Sequence, residues 1–129
     1  EIVNTNIGNI VTLATNRSNE NTVFAGTTTG LHVSNDSGSS WDKLNLSDAV
    51  TALSINPTND LEVYAYANGQ GLLTSIDGGK TWKQLNGYKG NTVMHFAIDP
   101  QIPTTAYLIN QTLEIHKTSD SGQTWSKLR

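Results

Sequence analysis

Cysteine is absent from the 129-residue chain, so neither disulfides nor thiolate metal sites hold it together. Arginine is nearly absent too: Arg17 and Arg129 stand alone, and the net charge is −3. A basic stripe cannot be built from that stock, which argues against nucleic acid as a partner. No apolar run approaches the ~18 residues that a membrane-crossing helix requires, so no membrane insertion is expected. Sustained helical periodicity is missing as well. Charged residues make up only 15 % of the chain, and Asn, Thr and Ser are abundant. Such compositions are common in secreted bacterial proteins, and an extracellular or cell-envelope setting is expected. The chain opens at Glu1 without an apolar leader, and we expect a mature or excised piece of a longer precursor.

What is present is repetition. One motif occurs three times: Ser34-Asn35-Asp36-Ser37-Gly38-Ser39-Ser40-Trp41, Ser75-Ile76-Asp77-Gly78-Gly79-Lys80-Thr81-Trp82 and Thr118-Ser119-Asp120-Ser121-Gly122-Gln123-Thr124-Trp125. The aspartates are 41 and 43 residues apart, and the motifs hold all three tryptophans. A fixed period of this size marks a repeat architecture in which each unit is one supersecondary element.

Each motif reads as a turn between two strands. The carboxylates of Asp36, Asp77 and Asp120 can accept hydrogen bonds from N–H groups of their own turn. Gly38, Gly79 and Gly122 follow where a left-handed φ is expected. The hydroxyls of Ser34, Ser75 and Thr118, and of Ser40, Thr81 and Thr124, can join the same network. Trp41, Trp82 and Trp125 open the next strand and are expected to bury much apolar area. Catalytic carboxylates or calcium ligands are the alternatives. Capping is favoured because one residue serves three equivalent turns, and a calcium loop needs several carboxylates together where each motif supplies one. No cofactor and no metal site are implied.

The similarity runs beyond the motif. Leu13, Leu53 and Phe96 correspond, and Asn16, Asn56 and Asp99 mark a turn after them. Val23-Phe24-Ala25, Val63-Tyr64-Ala65 and Ala106-Tyr107-Leu108 read as a second strand, and Leu31-His32-Val33, Leu72-Leu73-Thr74 and Ile115-His116-Lys117 as a third. A polar fourth strand begins at each Trp and ends at Leu44, Leu85 and Leu128, where its charge suits an outer edge. Four short strands in about 42 residues fit a propeller blade. The expected organisation is one repeat domain over 1–129, with an N-terminal extension (1–9) and blades at 10–50, 51–92 and 93–129. Ile2 and Ile7 give the extension an alternating pattern that suits a strand added to a blade edge.

The motif resembles the Asp-box, or BNR repeat, of sialidase-like, xyloglucanase-like and sortilin-like β-propellers, which also occurs in photosystem-assembly factors. The resemblance implies an all-β fold of three four-stranded antiparallel blades, half a propeller, with the Asp-box turn between the third and fourth strands of each. It does not imply an enzyme, since one fold hosts many functions. A sialidase clamps its substrate's carboxylate with an arginine cluster, and Arg17 and Arg129 cannot supply one. His95, next to Met94 and Phe96, has no evident acid or thiol partner, and His32 and His116 read as half-buried strand residues.

Propellers typically close with about four to eight blades. Three blades leave two apolar faces open: they can be covered by the remaining blades of a longer chain or by a second copy, three blades plus three, or the array can stay open and be end-capped by residues 1–9, and of these we expect oligomeric closure. Ligands are expected on loops between blades and between second and third strands. There Asn68, Gln70, Lys89 and Asn91 offer amides and charge for sugar hydroxyls, and Tyr88 offers a ring for stacking. The expected function is therefore a non-catalytic binding or scaffold module for carbohydrate or protein. The alternatives are a fragment of a sialidase-like or xyloglucanase-like glycoside hydrolase with its catalytic residues elsewhere, and a purely architectural, natural or engineered, self-associating unit.

Overall fold

The computed structural model describes residues 7–129; the expected strand around Ile2 lies outside them. Among the described residues, twelve strands form three separate four-stranded antiparallel sheets, each a meander in chain order. The first contains β1 (Ile10–Thr15), β2 (Val23–Thr27), β3 (Gly30–Ser34) and β4 (Asp42–Lys43). The second contains β5 (Val50–Ile55), β6 (Val63–Ala67), β7 (Gly71–Ser75) and β8 (Lys83–Gln84). The third contains β9 (Val93–Ile98), β10 (Ala106–Asn110), β11 (Ile115–Thr118) and β12 (Ser126–Lys127).

Local chemistry sets the turns. After each first strand, Asn16, Asn56 and Asp99 accept backbone N–H groups two residues on, at 2.9 Å in all three cases. These are the short side-chain turns that Asn and Asp favour. The fourth strands are shorter than the sequence suggests. Each begins just after its Trp and pairs through only two residues, both exposed.

The sheets pack face to face in chain order, with their first strands β1, β5 and β9 side by side. Thr51 ties β5 to the next blade by donating to the Val93 carbonyl at 2.7 Å. Two apolar layers result. One lies between the first and second sheets and holds Phe24, Leu31, Val50, Val63 and Leu73. The other lies between the second and third and holds Tyr64, Leu72, Leu85, Tyr88, Val93 and Leu108. Alternate residues of the middle sheet serve the two layers: Leu53 faces the first blade and Ala52 the third. This is the period-two logic of a strand buried on both faces. In the outer sheets β1 and β9 are largely exposed, although Ala25 and His32 are buried even on the outer face of the first sheet. The tryptophans are half-buried rather than enclosed. Trp82 packs on the first layer and Trp125 on the second, each against the preceding blade.

Candidate functional site

The repeated Asp turns and the face bearing the second-to-third-strand turns are the two places where polar side chains converge. In the first turn, Asp36 Oδ1 accepts from the Ser34 hydroxyl at 2.8 Å and from the Ser40 N–H at 2.8 Å. Its other oxygen accepts from the Ser40 hydroxyl at 2.6 Å. Ser34 Oγ accepts the Gly38 N–H in return, and the Trp41 indole donates to the Gly38 carbonyl. The second and third turns repeat every one of these bonds around Asp77 and Asp120. Gly38, Gly79 and Gly122 have φ of 93°, 94° and 87°. The residue before each is also left-handed, and in two turns it is a serine, Ser37 and Ser121; the sequence did not signal that.

These bonds decide what the carboxylates can do. The hydroxyl and N–H of Ser40, then the Ser34 hydroxyl, hold Asp36 near a pKa of about 2. The corresponding bonds of Thr124 and Thr118 hold Asp120 at about 2. Thr81 and Ser75 pull Asp77 down as well. Stabilising the ionised form is the opposite of what a general acid needs. The three aspartates clasp their own turns.

Acid sensitivity follows. With folded values below the ordinary 3.8, the aspartates add stability that is complete above that value and fades as pH falls towards about 2. The melting temperature is therefore expected to drop steeply between about pH 4 and pH 2. Asp77→Ala should melt lower than the parent near neutral pH, with the gap narrowing as acid is added. A constant gap in thermal unfolding followed by circular dichroism would show that ionised Asp77 does not stabilise the turn.

At the opposite end of the blades, the linkers meet the second-to-third-strand turns. The Asn68 N–H donates to the Ala49 carbonyl, and the Gln70 amide to Asp48 at 2.6 Å. One blade on, Asn91 reaches the Thr112 hydroxyl at 3.4 Å. Asn68, Gln70, Lys89 and Asn91 are all exposed on this face. They form two neighbouring groups, and among the described residues no hydrogen bond joins the Asn68–Gln70 group to the Lys89–Asn91 group. Tyr88 departs from expectation. Only 7 % exposed, it meets His116 and Trp125 edge-on, with ring centroids at 5.2 and 6.3 Å. Its hydroxyl donates to the Asn91 carbonyl at 2.5 Å. The ring is a plug beneath the linker, not a stacking platform, because its apolar faces find more burial between blades than in solvent.

Sequence reading missed the cluster that Tyr88 supports. Asn110, fully buried, donates to the Tyr88 hydroxyl at 3.3 Å and to Glu114 at 3.0 Å. Its own oxygen accepts the N–H groups of Thr112 and Glu114. Glu114 also contacts His116 at 3.2 Å and Lys127 at 3.1 Å. The Asn110 amide, then Lys127 and His116, hold the Glu114 carboxyl at about 2. One signal was available: Glu114 occupies the place held by Gly30 and Gly71 in the other repeats. His32, the counterpart of His116, is titrated downward by burial and by Lys43. His95 is exposed on β9. Among the described residues no group of three or more His, Asp or Glu is placed to hold a metal ion.

The three sheets superpose on part of an ancestral GH74 enzyme with a TM-score of 0.74, at 20 % identity over 90 % of this chain and 18 % of that one. They also match the GH74 enzyme of Niastella koreensis, with a TM-score of 0.76 and 18 % identity over 93 % and 22 % of the two chains. YCF48 bound to a D1 peptide gives 0.70, with 21 % identity over 94 % and 40 %. The fold is that of a β-propeller. Each sheet is one blade, the first strands are innermost, and the three blades span less than half the length of these propellers. No family model and no curated protein matches the sequence.

Proposed function

We propose that these three blades are of the Asp-box type and form a non-catalytic binding module within a larger propeller, acting in an extracellular or cell-envelope setting. The ligand is a carbohydrate, held on the face of the linkers and second-to-third-strand turns. One observation carries this reading. The exposed amides and charges of Asn68, Gln70, Lys89 and Asn91 gather on that face, while the Asp carboxylates are consumed by their own turns. Amides and a flanking ammonium suit sugar hydroxyls. Glycoside hydrolysis uses two carboxylates with at least one raised in pKa. The shifted carboxylates Asp36, Asp77, Asp120 and Glu114 all move downward.

A second reading, a segment of a glycoside hydrolase, is favoured by the likeness to GH74 enzymes. The test is a glycan array followed by calorimetric titration of the best hit, with a parallel assay on aryl glycosides and xyloglucan oligosaccharides. Saturable binding weakened about tenfold by Lys89→Ala or Asn91→Ala supports the binding module. Silence across the array removes the carbohydrate reading, and turnover replaces it with the hydrolase.

A further inference from the structure

Among the described residues, the two end faces of the blade array are the two halves of one junction that the chain already makes twice. Within the chain, each junction seats the turn glycine of one blade on an aromatic and a leucine of the blade before it. A Cβ at Gly79 would lie 3.0 Å from Leu44 and 3.5 Å from Phe24; one at Gly122 would lie 2.9 Å from Leu85 and 3.8 Å from Tyr64. Blade three presents the same pair, Tyr107 and Leu128, to solvent at 37 % and 57 % exposure, where Tyr64 and Leu85 are each 3 % exposed. Blade one presents the matching seat at the Gly38 end of its outer face, while Ala25 and His32 on that same face are buried. A Cβ at Gly38 would meet nothing beyond its own Trp41. Leu13, the counterpart of Leu53, is 57 % exposed against 6 %.

Charge identifies the occupant. Between blades one and two, Val33 of the first lines a groove with Asp60, Asp77 and Lys80 of the second, and on blade one the counterpart of Lys80 is the uncharged Ser39. On the open face of blade three, Val33 is replaced by Lys117, whose ammonium sits 5.8 Å from the Tyr107 ring. On blade one the counterparts of Asp60 and Asp77 are Glu20 and Asp36, both exposed. A lysine thus replaces the valine on one end face, and the other end face carries Glu20 together with the negative charge of the turn-bound Asp36. An ion pair of this kind favours the chain's own end as partner and sets the register of contact.

We infer that a second copy of this chain docks head to tail, seating its Gly38 turn on Tyr107 and Leu128 with Lys117 between Glu20 and Asp36, and that two such junctions close a ring. The inference rests on the propeller reading. Two copies of these three blades supply six, within the roughly four to eight at which propellers close. A two-fold axis makes both junctions identical.

The test is light scattering coupled to size exclusion on the intact chain across a concentration series. The expected mass is twice 13.9 kDa. Leu128→Glu, at an exposed position, should yield a folded monomer or weaken association at least about tenfold. Lys117→Glu should weaken it too, and Glu20→Lys in the same chain should restore part of the loss. Circular dichroism and thermal melting confirm that each variant is folded. A monomer at every concentration overturns the inference, as does a dimer indifferent to Leu128→Glu or a larger open assembly. None of these outcomes bears on ligand binding, which the glycan titration reads separately.

Discussion

Gly30→Ala is expected to cost about 4 kcal/mol or more and to leave the first blade unable to form as it stands. Gly30 opens β3 with φ of 136°, a region that L side chains rarely enter. A Cβ there would lie 2.0 Å from the Leu46 carbonyl oxygen. That atom is backbone and cannot swing aside. It also accepts the Leu31 N–H at 3.0 Å, so moving it breaks a strand-end bond beside the buried Leu31 and Leu46. The matched control is Gly69→Ala. Gly69 also has a left-handed φ, 83°, but a Cβ there meets nothing within 4 Å. It should cost only the conformational strain, about 1–2 kcal/mol. Against a total stability of about 5–15 kcal/mol, the first change is severe and the second tolerable. Urea unfolding of both variants separates the effects, and equal losses would show that the close approach at Gly30 is not what constrains it.

Asn110→Ala is expected to cost about 2–4 kcal/mol, lowering the melting temperature by roughly 10 °C. The side chain is fully buried. Its oxygen satisfies two backbone N–H groups, at 3.1 Å to Thr112 and 3.0 Å to Glu114, and the Thr112 hydroxyl at 2.9 Å. Truncation strands these donors and removes the amide that holds Glu114. Even partly buried donors left unmade cost more than the bonds themselves contribute. Asn110→Asp offers a sharper test. It keeps the acceptor but sets a second carboxylate about where an amide now contacts Glu114 at 3.0 Å. Like charges at that range repel, so this variant should be weakest near neutral pH and recover part of its stability in mild acid. A loss from Asn110→Ala below about 1 kcal/mol would mean that water replaces the amide without penalty.

The legibility of the chain follows its repetition. A feature needed by every blade is written three times, and three copies at one spacing stand out from chance. That is why the Asp turns, the Asn16, Asn56 and Asp99 bends and the strand order could be read from residues alone. Features unique to one blade are written once and have no internal control. Glu114 and Asn110 belong to this class, and so does Tyr88. Its aromatic ring in a polar loop looked exposed, yet the gap between the second and third blades draws it in beside His116 and Trp125.

The sequence by itself determined the all-β class, the four-strand unit and the chemistry of each turn, because hydrogen bonds within eight neighbouring residues fix a turn wherever it lies in space. Only the tertiary structure decided which face of each strand is covered and what lies open at the two ends. Burial is a property of pairs of sheets. Leu13 and Leu53 are the same residue at the same place in the repeat, and one is 57 % exposed while the other, packed against the first blade, is 6 % exposed.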